Sequence, residues 1–313
     1  MHTRPLPFTA ASPQVRKFAR SLGVDLAEVP PTGVNRRVLV TDVERFVQTL
    51  LMRRAAVESS PAQTARPPTD PQPAELPAID FSAFGPVERQ PLSRIRKVAG
   101  AHLARAWMQI PHVTNFDAAD VTDLESFRKQ INQEKRDESP RLTLLTFLMK
   151  ASAVTLLEFP TFNASLDDGS LVLKRYCHIG FAVDTPNGLL VPVVRDVDRK
   201  GLLEVAREVT ALAATARAGK LTLAQMQGGC FSISSLGSIG GTGFTPIINA
   251  PEVAILGSAK TDYAPKWDGK QFQPRLMLPL CLSWDHRVID GAAAARFLNF
   301  LSSLLADFRR VAL

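Results

Sequence analysis

The sequence predicts an α/β protein in two parts joined by a proline-rich tether: a small all-α module and a larger body in which helices cover one mixed sheet. Three observations carry this. Of the 23 prolines, 13 fall in the first 91 of 313 residues. Two short stretches near the N-terminus carry apolar residues at helical spacing, and beyond Ile79 helical and strand-like segments alternate in irregular order. At about 100 to 200 residues per domain, the length also fits two domains.

The first helix opens at Ser12, an N-cap with Pro13 in the first helical position, and its apolar stripe is Val15, Phe18, Ala19 and Leu22 before Gly23 ends it. A second helix is expected from a Thr41/Glu44 capping box, with Val43, Phe46, Val47 and Leu50 as its stripe. Pro30, Pro31 and Gly33 set the loop between them, which carries Arg36 and Arg37. Residues 8–50 therefore form the module. Residues 51–78, rich in Pro, Ala, Ser and Gln, form an extended linker, and residues 79–313 form the body. There, helices are predicted from the Ile95, Val98, Ala99, Leu103 and Ala106 stripe, from Thr122 to about Glu138, from Leu142 to Glu158, from Leu202 to Ala218 and from Gly291 to about Arg309. Strands are predicted at 176–183, 189–194, 230–235, 253–260 and 275–284.

Composition excludes several classes. With 45% apolar and 21% charged residues, the body can bury a core and wholesale disorder is ruled out. The three cysteines, Cys177, Cys230 and Cys281, lie far apart without CxxC spacing, against a zinc cluster or a disulfide framework. No apolar run approaches the roughly 20 residues of a membrane span. The net charge of +7 divides into +4 for residues 1–58, −1 for 59–77 and +4 for 78–313. Only the module is strongly basic for its size, and no aromatic residues interleave with its basic ones. An acidic protein partner or a phosphorylated ligand explains that charge at least as well as nucleic acid does.

Two places could carry chemistry. His286 stands where a buried-looking strand ends and a helix begins, with Asp290 four residues on. The pair reads either as a structural histidine beside an N-cap aspartate or as a base in an oriented turn. The stretch from Phe231 to Gly243 lacks the GxxxxGK[ST] and GxGxxG spacings of phosphate loops. It reads either as an edge strand with a glycine turn or as a strand whose Ser232 and Ser234 face one way, with a hydroxyl placed to donate to an oxyanion. His102, His112 and His178 default to structural roles, and the cysteines to small buried apolar residues.

Together the motifs DHRVIDG (285–291), GLLVPVVRDVDRKG (188–201), MQGGCFSISSLGSIGG (226–241), NAPEVAILG (249–257) and IPHVTNFDAAD (110–120) resemble the catalytic domain of the dihydrolipoamide acyltransferases. These are the core components of 2-oxo acid dehydrogenase complexes, and the wording is closest to the bacterial pyruvate dehydrogenase type. Residues 8–50 resemble the peripheral subunit-binding domain of the same family. The resemblance implies a chloramphenicol-acetyltransferase-like two-layer fold and homotrimers assembling to a 24-subunit core. It implies active sites at trimer interfaces, in a bacterial cytoplasm. It makes His286 the general base, Ser234 the oxyanion donor and Asp290 the residue that orients the histidine loop. An acetyl group would pass between a dihydrolipoyl thiol and coenzyme A without a metal. The module would bind dihydrolipoyl dehydrogenase or the pyruvate decarboxylating component through Arg16, Arg36 and Arg37. No lipoyl-domain sequence is present in these 313 residues; either they are part of a longer chain or the lipoyl groups come from another polypeptide, and the acyl donor is expected in trans. The alternatives are a non-catalytic scaffold that tethers partner enzymes, or the same chemistry with a succinyl or branched-chain acyl group.

Overall fold

The computed structural model describes residues 10–58, 79–134, 140–237 and 239–312, and these divide into two compact units between Val87 and Glu88. In the first unit, helix α1 spans Pro13–Ser21, and the Ser12 hydroxyl accepts from the Val15 amide at 3.3 Å, as an N-cap should. Helix α2 spans Val40–Glu58. It starts before the expected cap, so Thr41 lies inside it. The role falls instead to Asp42, whose buried carboxylate accepts from the Leu39 amide, the Thr32 amide and the Thr32 hydroxyl. Those donors hold the Asp42 carboxyl below its ordinary range, the Thr32 hydroxyl foremost. The same helix runs eight residues into the stretch expected to be linker, because neither proline nor glycine interrupts it before Pro61. The rest of that stretch, residues 59–78, lies outside the described residues.

Val15, Ala19, Val29, Val38 and Val43 form the small core of this unit. The loop over it closes through the Gly33 amide donating to the Arg37 carbonyl at 2.9 Å. A Cβ on Gly33 would lie 2.5 Å from that oxygen, so only glycine permits the closure. It leaves Arg36 and Arg37 exposed at the surface.

In the second unit the chain runs through α3 (Arg94–Gln109), β1 (His112–Asp120), α4 (Thr122–Glu134), α5 (Leu144–Glu158), β2 (Ala164–Asp167), β3 (Ser170–Leu173), β4 (Ile179–Phe181), β5 (Val183–Thr185), β6 (Gly188–Leu190), β7 (Val193–Val194), α6 (Leu202–Arg217), β8 (Phe231–Ser235), β9 (Ala254–Ser258), β10 (Asp262–Trp267), β11 (Phe272–Asp285) and α7 (Gly291–Ala306). Seven strands form one mixed sheet in the order β1-β11-β9-β8-β4-β7, with β10 also paired to β11. The pairs β8·β9 and β4·β8 are parallel, and the others antiparallel. Helices α5 and α7 contact each other and bring Phe147 and Phe297 into the main core with Phe231, Phe181 and Trp284 from the sheet. Phe297 stacks on Phe162 at 4.3 Å between ring centroids.

Several expectations changed. Thr122 begins α4 but is not its cap. Its hydroxyl donates to Asp120 and accepts from the Leu276 amide, while Glu125 is held by Arg128. The expected end of that helix, 135–138, lies outside the described residues. The strand expected at 176–183 is split into β4 and β5. The stripe predicted for α3 forms a helix but does not face the core of this chain: only Ala106 is buried, and Val98 is 64% exposed.

Candidate active site

Strand β11 ends at the buried Asp285, and the chain turns sharply through His286 before α7 begins. The His286 amide donates to the Pro111 carbonyl at 3.1 Å, which ties the turn to the start of β1. Its ring lies 4.8 Å from the Trp284 ring, whose indole donates to Asn115. The imidazole is exposed and makes no hydrogen bond among the described residues. Asp290 accepts from the Ala293 amide at 2.7 Å and so fixes the end of the turn as the N-cap of α7. Asp290 is thus the N-cap of α7, and it holds the turn without touching the imidazole.

Ser234 lies near the end of β8, on the face opposite Phe231 and Ile233, which point into the core. Its hydroxyl makes no hydrogen bond among the described residues. In register it is level with Gly257 of β9, whereas Ala254 of β9 is level with Trp284, and His286 lies two residues beyond that. At about 3.3 Å per residue this places His286 and Ser234 some 16 Å apart along the strands, two strands across. One chain does not bring them together.

Behind Ser234, the sequence reading missed a buried polar cluster. Glu252 Oε1 accepts from the Ser232 hydroxyl at 2.9 Å and from Asn249 Nδ2 at 3.2 Å, while its Oε2 is buried without a partner. Gly180 of β4 makes room for this cluster: a Cβ there would lie 2.8 Å from Ser232 Oγ. Burial pushes the Glu252 carboxyl up to about 7 against the pull of Ser232, Lys174 and Asn249. Desolvation in turn lowers Lys174, which faces both Glu252 and Cys230. Cys177 and Cys230 interact, which pulls the Cys230 thiol down and pushes Cys177 up, and the Cys230 thiol donates to the His178 carbonyl at 3.0 Å. The cysteines are buried as expected, but two of them interact, 53 positions apart, with no local spacing to reveal it. For Glu252 there was a signal: one acid inside the apolar run APEVAILG.

Two other histidines, His112 and His178, serve the fold. His112 Nδ1 is 2.8 Å from the Ile110 carbonyl and Nε2 accepts from the Ile248 amide, so this ring bridges two loops. His178 Nδ1 accepts from the Asp196 amide, and its pKa is lowered chiefly by burial.

Residues 84–313 match the family model of the 2-oxoacid dehydrogenases acyltransferase catalytic domain. The chain belongs to this family. Residues 9–44 match the model of the e3 binding domain. Relatives of this acyltransferase chain include the dihydrolipoyllysine-residue acetyltransferase components of the pyruvate dehydrogenase complexes of Cupriavidus necator, 56% identical over 97% of this chain and 55% of that protein, and Pseudomonas aeruginosa, 52% identical over the same shares. The chain thus spans about half the length of these relatives. Among solved structures, the Azotobacter vinelandii dihydrolipoamide acetyltransferase, studied for the role of a serine, a histidine and an asparagine in its mechanism, is 55% identical. It has a TM-score of 0.75 and covers 76% of this chain and 99% of its own. The cubic core of a pyruvate dehydrogenase multienzyme complex matches with the same figures. The two-layer α/β fold expected for the family is the fold of these cores.

The buried acid of this acyltransferase domain has a measurable consequence. A carboxyl whose folded pKa exceeds its unfolded value of 4.5 contributes stability in full below that value and loses it as pH rises towards 7. Glu252→Gln removes the charge and keeps an acceptor. In urea unfolding between pH 4.5 and 8, wild-type stability is expected to fall relative to the variant by up to about 3 kcal/mol. Parallel pH curves would contradict this assignment.

Proposed function

We propose that this chain transfers an acetyl group between a dihydrolipoyl thiol and coenzyme A, with His286 as general base, Ser234 as oxyanion donor and Asp290 holding the histidine turn. The observation that carries the reading is the separation of His286 and Ser234 to opposite ends of the sheet, each exposed enough to meet another molecule. A site that uses both is completed by a neighbouring copy, as in a trimer. Two further observations support it. The exposed Val98, Leu103, Trp107 and Met108 of α3, with Val113 and Phe116 of β1, leave apolar surface of the kind that marks protein contacts. The serine, histidine and asparagine studied in the Azotobacter vinelandii enzyme stand at the same intervals as Ser234, His286 and Asp290. Aspartate replaces asparagine here, and both side chains can accept from the amide that Asp290 caps.

In this mechanism a thiol of pKa about 8.5 is mostly protonated at neutral pH, and the His286 imidazole removes its proton as sulfur attacks the thioester carbonyl. The carbonyl oxygen gains negative charge, and the Ser234 hydroxyl of the neighbour donates to it, worth about 3 kcal/mol for a single such donor. The tetrahedral intermediate then collapses, the second thiol leaves, and the imidazolium returns the proton. Coenzyme A is a substrate, and a lipoyl domain supplies the dihydrolipoyl thiol. Assembly of trimers into a larger core, as in the cubic core, and a bacterial cytoplasmic setting belong to the same proposal.

The first unit is proposed to bind dihydrolipoyl dehydrogenase, or the decarboxylating component, through the basic surface of Arg16, Arg36 and Arg37. Support comes from the e3 binding domain match and from the Gly33 closure that holds Arg36 and Arg37 outward. No helix among the described residues is long and apolar enough to cross a membrane.

With dihydrolipoamide and acetyl-CoA, His286→Ala is expected to lower turnover about a hundredfold or more. Ser234→Ala should lower kcat by a similar factor with the KM for coenzyme A kept. Near-wild-type turnover in the first, or a defect confined to KM in the second, would overturn the roles; inactivity of the wild type with every acyl-CoA would favour the scaffold. For the first unit, Arg37→Ala should slow association with dihydrolipoyl dehydrogenase and flatten its salt dependence. Association indifferent to both salt and substitution would refute the basic contact.

A further inference from the structure

Asp285 and Arg287 flank His286, and their contacts are spent almost entirely on the turn itself. The Asp285 side chain is 2% exposed, and its carboxylate accepts from the Arg287 amide at 3.0 Å, from Arg287 Nε at 2.9 and 3.1 Å, and from Arg287 Nη2 at 2.6 Å. Its own amide donates to the Val253 carbonyl at 2.9 Å, and its carbonyl accepts from the Val288 and Ile289 amides at 3.0 Å each. A buried carboxylate is costly unless paired and hydrogen-bonded. Here every side-chain partner comes from a residue two positions along the chain. The charge is therefore compensated only when residues 285–287 adopt one bent conformation, with the guanidinium folded back over the end of β11.

We infer that the Asp285–Arg287 fork positions His286, setting the direction in which its imidazole leaves the protein surface. The inference rests on the reading of His286 as the base. The imidazole makes no hydrogen bond of its own to described residues, and beyond the Trp284 ring it inherits its placement from this backbone. A base that reaches across to another subunit is sensitive to such placement, since a misplacement of about 1 Å can cost on the order of a hundredfold in rate. The fork also accounts for arginine rather than lysine at 287. A lysine carries the charge but cannot present Nε and Nη2 to both carboxylate oxygens at once.

The test uses the full chain in its assembled form, with dihydrolipoamide and acetyl-CoA. Arg287→Ala should lower kcat about 10- to 100-fold, with both KM values within about twofold of wild type. Arg287→Lys should be nearly as impaired, and millimolar guanidinium chloride should restore part of the kcat of Arg287→Ala without affecting wild type. In protein carrying 13C-labelled histidine, the signal assigned by its loss in His286→Ala should be sharp in wild type and shifted or broadened in Arg287→Lys. Wild-type kcat in Arg287→Ala would overturn the inference. So would a rise confined to KM, which makes Arg287 a substrate contact, or full activity in Arg287→Lys with an unchanged histidine signal. His286→Ala run alongside separates the two claims: an active His286→Ala sinks the base, whereas an inactive one beside an active Arg287→Ala sinks only the fork. Should Arg287→Ala fail to assemble, Arg287→Lys and the histidine signal decide.

Discussion

Strand direction in the middle of the sheet constrains everything else in the catalytic unit. Strand β11 runs antiparallel to β9, and β9 runs parallel to β8. The C-terminal end of β11, where His286 emerges, and the C-terminal end of β8, where Ser234 sits, therefore lie at opposite ends of the ladder. No rearrangement of side chains removes that separation. It would require breaking a ladder whose residues, among them Leu256, Leu282 and Ile233, are fully buried. Under the proposed reaction each chain would carry two half-sites at opposite ends of the sheet, and the exposed apolar surface of α3 and β1 is what such a protomer would cover on meeting its neighbours.

The cost of this layout appears on the face of the sheet that bears Ser234. Opposite the aromatic core, the alternate residues of β8 are hydroxyls, and a buried hydroxyl needs a partner. Ser232 finds one in Glu252, which is then itself buried and shifted towards its neutral form. Lys174 and the Cys177/Cys230 pair extend the same polar layer. Asp285 is a second buried carboxylate, and its compensation is wholly local.

How far the sequence reveals this depends on the range of the interaction that fixes each element. Ser12, Pro13 and Gly23 act within one helical turn, and α1 is found where they predict it. Helix α6 follows its period to within a residue, as does the strand around Ser234. Thr41 and Thr122 were misassigned as caps because Asp42 and Asp120, drawing on partners distant in sequence such as Thr32 and Arg275, hold those turns instead. Strand β1 lacks a clear alternation since its partners in β11 decide its conformation. In α3 the apolar stripe is real but most of it stays exposed on this chain, so periodicity alone identified the helix and misjudged its burial. His286 and Asp290 share one turn, so their closeness is legible from local spacing; the proposed pairing of Ser234 with them across a subunit boundary would be a matter of assembly, which periodicity does not encode.

The most direct test of the central claim, that a chain cannot close its own site, is complementation between two inactive proteins. His286→Ala and Ser234→Ala chains, each inactive alone, would be co-expressed and the mixed assemblies purified. If each site joins the histidine of one chain to the serine of the next, random mixing in equal amounts restores about a quarter of the sites, and with them about a quarter of wild-type turnover. Turnover no greater than that of the separate variants, from assemblies shown to contain both chains, would place both residues of a working site in one chain and contradict the account.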